Sequence, residues 1–217
     1  MDINRIPFYQ YNTIIVGTGA AGLNAAVTLH KLGQKNIALI TEGRYMGTSR
    51  NTGSDKQPYY KLTQCGSEPD SVRKMAETLF DGGCVDGDIA MAEAAGSLRA
   101  FYHLVDIGVP FPFNKSGEYV GYKTDHDPLK RGISAGPLTS KYMTECLERQ
   151  AEERGIPFFD GYQAVRLLTE EKDGEKRAAG IIALNKRKAA SADERYAVFS
   201  AVNIIWATGG EAGMYQA

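Results

Sequence analysis

Near the front of the chain the run Gly17-Thr18-Gly19-Ala20-Ala21-Gly22 has the residue types and spacing that bring a backbone against a diphosphate. Each glycine has its own task. Gly17 permits a tight turn, Gly19 lets the backbone approach a pyrophosphate, and Gly22 lets a following helix pack closely on the preceding strand. The start of that helix then offers N–H groups and the positive end of its dipole to phosphate oxygens. Glu42 lies twenty residues beyond Gly22, where a carboxylate accepts hydrogen bonds from ribose hydroxyls. An acid at this point repels a 2′-phosphate, which argues against NADP.

A GxGxxG run alone is a weak signal, so the elements around it must place it. Residues 11–17 form a short β-branched run bounded by glycine, which reads as a buried strand. Residues 19–32 carry Leu23, Ala26, Val27 and Leu29 at helical spacing, and Gly33 stops them. A second buried-strand pattern over 36–42 ends on the acid. The spacing predicts a βαβ unit with parallel strands and a right-handed crossover.

Residues 43–66 are polar and glycine-punctuated, a loop long enough to be functional. Helical patterns follow over 71–80, 88–107 and 137–154, separated by an irregular connection over 109–131. The last third changes character: strand patterns over 163–169, 178–185 and 196–207, with a turn at Lys172-Asp173-Gly174. The charged stretch 170–177 reads as a solvated hairpin tip. A meander returning to a parallel sheet is not expected of a plain NAD domain. It ends in Ala207-Thr208-Gly209-Gly210, small residues that allow backbone close to a bound dinucleotide. Both features favour FAD over NAD.

Composition narrows the partners. The 217 residues are 43% hydrophobic, enough for one substantial core, and 25 basic against 26 acidic residues leave a formal charge of −1. That balance points to no nucleic-acid or acidic-lipid partner. No apolar run reaches membrane length, and no secretory signal is legible at the N-terminus. Cys65, Cys84 and Cys146 form no CxxC pair, so neither a disulfide framework nor a zinc site is indicated, and a reducing cytoplasm is the expected location. His30 and His103 fall within helices and read as structural. Asp125-His126-Asp127 alternates too tightly to hold a metal by itself.

Residues 14–22, the Thr41-Glu42 strand end, the phrase Leu104-Val-Asp-Ile-Gly-Val-Pro110 and the 204–210 terminus together resemble the flavoprotein subunit family of succinate dehydrogenase, fumarate reductase and L-aspartate oxidase. The resemblance runs from about residue 11 to the end. It implies a Rossmann-like α/β FAD-binding fold, a parallel sheet with helices and an added antiparallel meander, with all of 1–217 as the N-terminal part of a discontinuous domain. It places Gly17, Gly19, Ala20, Ala21 and Gly22 at the pyrophosphate and Glu42 at the adenosine ribose. Ala164 would offer backbone groups to adenine, and Ala207, Thr208 and Gly209 would pass beside the dinucleotide. Gly47, Thr48 and Ser49 match the family's approach to the flavin. His126 falls in a region of substrate-facing loops.

The departures are informative. Arg50 stands about where members with covalent flavin carry histidine, and an arginine is no attachment nucleophile, so non-covalent FAD is expected. Arg50 and Lys56 read as surface charge, with stabilisation of reduced flavin as the alternative. The family's capping domain, inserted after the Ala-Thr-Gly-Gly strand, brings the proton donor and closes over the substrate. The chain ends seven residues past Gly210, so the resemblance implies hydride transfer through flavin N5 on a dicarboxylate or related acid only when such a domain completes the site, and a partner subunit is open. The alternative is a non-catalytic FAD-binding fragment or module that needs another chain.

Overall fold

An aromatic half followed by a β-branched run makes the first strand, and glycine ends it. In the computed structural model, which describes residues 6–55, 57–64, 68–125, 127–191 and 194–210, the elements in chain order are β1 (Phe8–Val16), α1 (Ala20–Lys31), β2 (Ile37–Thr41), α2 (Thr48–Asn51), β3 (Tyr59–Tyr60), α3 (Val72–Asp81), α4 (Gly87–Asp106), β4 (Gly132–Ile133), α5 (Thr139–Glu153), β5 (Phe158–Asp160), β6 (Tyr162–Lys172), β7 (Glu175–Asn185), a 3-10 turn (Lys186–Lys188) and β8 (Tyr196–Trp206). Cys65, Lys56 and His126 lie outside the described residues. The chain divides into two compact units, residues 1–51 with 147–217, and residues 52–146.

The first unit holds a six-stranded sheet in the order β5-β2-β1-β8-β7-β6. β1 pairs in parallel with β2 and β8, and β2 in parallel with β5. β6, β7 and β8 form the antiparallel meander. The first half of β8 pairs on both sides, whereas residues 201–206 pair only with β1. Two buried faces explain the continuous apolar runs of β1 and β2: Ile14, Ile15 and Ile37 to Ile40 are fully buried, and α1 covers them with Leu23, Ala26 and Val27. Each fully buried Ile or Leu contributes about 1.5–3 kcal/mol. At the other end of the sheet Tyr9, Phe159, Tyr162 and Phe199 pack edge-to-face and stacked, with centroids 4.7–5.6 Å apart. The hairpin tip is a tight turn with Asp173 and Gly174 both at positive φ (55° and 79°) and its flanks exposed, as the sequence pattern predicts.

The second unit is built around the helices α3 and α4. Met75 and Ala76 of α3 bury against Ala90 and Ala94 of α4. Ser71 caps α3 by accepting from Lys74 N, and Asp86 caps α4 by accepting from Asp88 N and Ile89 N. Phe101, Phe111, Tyr59 and Tyr119 form an aromatic cluster beside them. Among the described residues no helix is long and apolar enough to cross a membrane.

Candidate dinucleotide site

The C-terminal ends of β1, β2 and β8 meet at one edge of the sheet, and hydrogen bonds knit them there. Gly17 N donates to Ile40 O at 2.8 Å, and Ala207 N donates to Val16 O at 2.8 Å. Gly17 turns the chain at φ +108°, and a Cβ on it would stand 2.2 Å from Ala207 O. A Cβ on Gly22 would stand 2.1 Å from Gly17 O, which is why α1 can lie so close to the strand. Gly19 differs from both. Its Cβ would meet only Ser49 Oγ, at 3.4 Å, so glycine here leaves backbone open to a neighbour rather than relieving a protein clash.

A cleft of about 380 Å³ lies at this edge. Gly17, Gly19, Ala20, Ala21, Glu42, Gly47, Thr48, Ser49, Ala207, Thr208 and Gly209 all line it, joined by Thr18, Thr41 and Met46. Gly22 is buried beneath the cleft, where its packing role requires it. Ala164, in β6, is not brought to the cleft: it pairs with Ala183 of β7, beside a register shift, and packs on the sheet core. A wider cavity of about 920 Å³ runs along the part of β8 that β7 does not pair, away from any helix N-terminus.

Electrostatics favour an anion at the fingerprint. The first intrahelical bond of α1 runs from Leu23 N to Gly19 O. Of the earlier donors, Ala20 N is met by Ser49 Oγ at 3.3 Å, while Ala21 N and Gly22 N meet no acceptor among the described residues. These N–H groups and the dipole end match diphosphate oxygens, and the residues present therefore fit an FAD pyrophosphate. Glu42 sits at the end of β2 with Lys186 Nζ 2.5 Å from its Oε1, a pair roughly half exposed. One carboxylate oxygen is thus engaged by the 3-10 turn after β7.

Several positioning residues escape a reading of motifs. Thr18, buried within the fingerprint, donates to Thr41 Oγ1 at 3.0 Å and ties the glycine turn to the end of β2. Asp160 accepts from Arg44 N at 2.9 Å and pairs with Arg187, so β5 and the 3-10 turn both brace the chain just after Glu42. Arg50 is neither a surface charge nor turned into the cleft. It is largely buried, ion-paired with Glu148 of α5, and its guanidinium lies over the Tyr45 ring. The threonines stood in the sequence as the variable position of the fingerprint and the residue before the acid. Nothing local marks Asp160, Glu148 or Lys186, because their partners are far away in the chain.

A parallel sheet with a glycine turn, an open helix N-terminus and an acid closing the second strand defines a dinucleotide-binding α/β domain. The family described as FAD binding domain matches residues 12–216, and the chain belongs to that family and binds FAD. It is 28% identical over 219 residues to an L-aspartate oxidase of Pseudomonas aeruginosa, which covers 95% of this chain and 38% of the relative. It is likewise 28% identical over 216 residues to the mitochondrial succinate dehydrogenase (ubiquinone) flavoprotein subunit of Oryza sativa subsp. japonica, covering 95% and 32%. Its fold matches an E. coli quinol fumarate reductase with a TM-score of 0.79 at 21% identity, over 97% of this chain and 34% of that one. The chain thus spans roughly a third of the length of the relatives it matches.

Proposed function

We propose that residues 1–217 are the N-terminal part of a discontinuous FAD-binding domain in an oxidoreductase of the succinate dehydrogenase and fumarate reductase type, and that the FAD is held without a covalent bond. The observation that carries this reading is the cleft at the ends of β1, β2 and β8, beside a helix start whose Ala21 and Gly22 N–H groups meet no acceptor among the described residues. When bound, FAD supplies hydride transfer at flavin N5. The chain's own residues bind and orient it. Gly17, Gly19, Ala20 and Ala21 meet the pyrophosphate, with Gly22 supporting them, and Glu42 accepts from the adenosine ribose through its second oxygen. Ala207, Thr208 and Gly209 lie along the dinucleotide, and Ala164 offers backbone to adenine. Gly47, Thr48 and Ser49 face the flavin side. The substrate class is a dicarboxylate or related acid, supported by the names of the relatives, which include succinate dehydrogenase and fumarate reductase flavoprotein subunits. A partner subunit is supported by the same names. A reducing cytoplasm is supported by the sequence spacing of Cys65, Cys84 and Cys146, which holds no CxxC pair.

The absence of covalent attachment rests on Arg50, engaged by Glu148 at the position where an attaching side chain would be needed. Acid precipitation of FAD-loaded protein is expected to release all the yellow colour into the supernatant. Flavin retained in the pellet would contradict this.

A second reading, a flavin-binding module without catalysis of its own, is favoured by one feature. Glu42 is the single ionisable side chain lining the cleft among the described residues, and Lys186 already holds it. On either reading, chemically reduced, FAD-loaded residues 1–217 are expected not to be reoxidised by fumarate under anaerobic conditions. Fast, fumarate-dependent reoxidation would contradict both.

A further inference from the structure

The segment that carries Gly47, Thr48 and Ser49 is shaped by its own bonds but placed by others. Met46 N donates to Gly43 O, Arg50 N and Asn51 N donate to Gly47 O, and Asn51 Nδ2 donates to Tyr45 O and Gly47 O. All of these lie within the segment, so they fix its form without fixing where it stands. It also touches the fingerprint. Ser49 Oγ takes the Ala20 N–H at 3.3 Å, and a Cβ on Gly47 would come within 3.6 Å of Gly19 Cα.

Beside the bond from Arg44 N to Asp160 of β5, the side-chain anchoring comes from α5. Glu148 Oε1 accepts from Arg44 Nε at 2.6 Å, and its other oxygen, Oε2, accepts from Arg50 Nη2. Arg44 also pairs with Glu152, and its guanidinium lies 4.0 Å over the Phe158 ring. Arg44 and Arg50 bracket the Gly47–Ser49 stretch, so the two oxygens of one carboxylate hold both flanks. The Glu148 and Arg50 side chains are each only 11% exposed and Arg44 is 20% exposed. At that burial, charge-assisted hydrogen bonds are less screened than surface pairs.

We propose that Glu148 is a positioning residue for the flavin-side half of the cofactor site, setting the place of Gly47–Ser49 without touching FAD. This rests on the reading that Gly47–Ser49 face the flavin side of the bound cofactor. Losing the carboxylate removes one hold from each flank at once, leaving Arg44 with Asp160, Glu152 and Phe158, whereas the adenosine side, built by Gly17–Gly22, Thr41 and Glu42, keeps its own bonds to the sheet. The consequence is selective. FAD binding weakens and ADP binding, which uses only the adenosine side, does not.

The test is the ratio of FAD to ADP affinity, measured by calorimetry on apoprotein of the full chain. Charge-assisted bonds of this kind correspond to roughly a tenfold change per 1.4 kcal/mol, so Glu148→Gln is expected to weaken FAD by about tenfold or more and ADP by less than about threefold. Arg50→Lys, which keeps the charge and loses the fork, is expected to shift the ratio in the same direction by less. It serves as the test where Glu148→Gln does not fold. Equal losses of FAD and ADP, or no loss of either, overturn the proposal. Gly47→Val in the unaltered background separates it from the reading beneath it. If Gly47→Val weakens FAD while Glu148→Gln leaves the ratio alone, only the positioning role fails. If Gly47→Val leaves FAD affinity unchanged, the assignment of the segment fails and the proposal falls with it.

Discussion

Two arginine networks, one in each unit, use similar chemistry for different ends. In the second unit Arg131 is fully buried and saturated. Its Nε and Nη2 bind both oxygens of Asp70 at 2.9 and 2.7 Å, and its Nη1 reaches Thr78 Oγ1 at 2.9 Å, Tyr60 OH at 3.2 Å and Asp127 Oδ2 at 3.4 Å. Tyr60 also donates to Asp127, and burial together with that carboxylate pushes the Tyr60 hydroxyl up to about 12. In the first unit Arg44 and Arg50 share Glu148 at the margin of the cleft and stay partly exposed. Burial pulls the Arg44 guanidinium down, yet Glu152 and Glu148 hold it above its ordinary range. A closed network of this kind specifies a core. An open one, attached to both flanks of a binding segment, helps set where that segment stands.

The comparison can be broken most forcefully at Arg131. Arg131→Met leaves Asp70 and Asp127 buried without their cation, which costs about 3–5 kcal/mol of stability by the usual cost of breaking a buried pair. Denaturant unfolding of this variant against Arg44→Met, whose partner Glu152 stays half exposed, is expected to show much the larger loss at Arg131. Equal losses would erase the distinction between the networks.

A pH series sharpens it. Burial raises the Asp70 carboxyl, but the Arg131 guanidinium and the N–H groups of Thr63 and Ser71 outweigh that and bring it below its ordinary range. A depressed folded pKa contributes stability that is present above the unfolded value of about 3.9 and is lost as pH falls through the folded pKa. The wild-type chain is therefore expected to lose stability below about pH 4 more steeply than Asp70→Asn, which is less stable throughout the neutral range. Parallel acid limbs for the two proteins would remove Asp70 from the account. The smallest effect is expected at Lys186. Its pair with Glu42 is roughly half exposed, so Lys186→Met changes stability by only about 0.2–1 kcal/mol in urea denaturation.

Much of the frame was legible because punctuation and burial agree. Gly17 and Gly33, both at positive φ, end β1 and the turn after α1 where the pattern breaks. The meander announced itself through alternation and the Asp173-Gly174 turn. What stayed hidden was short or remote. β5 has three residues between Pro157 and Gly161, too few to show a period, and α2 is a single turn inside a polar stretch read as a loop. β1 begins at Phe8, earlier than its apolar run, because pairing with β8 extends it past the buried residues. The clamp on Glu148 joins residues about a hundred positions apart. On its helix Glu148 reads as one more acid among several, and no local pattern marks it.

The central claim, that the glycine turn and the start of α1 hold the FAD pyrophosphate, is tested most directly at Gly19. Its Cβ position opens toward Ser49 Oγ rather than into packed protein, so Gly19→Val obstructs the ligand more than the fold. Trp206, the single tryptophan, immediately precedes Ala207 at the cleft and reports on binding by its fluorescence. Titration with FAD is expected to quench wild-type emission with a saturable curve and to leave Gly19→Val unquenched, at an unchanged circular dichroism spectrum. A Gly19→Val protein that binds FAD with wild-type affinity would contradict the account.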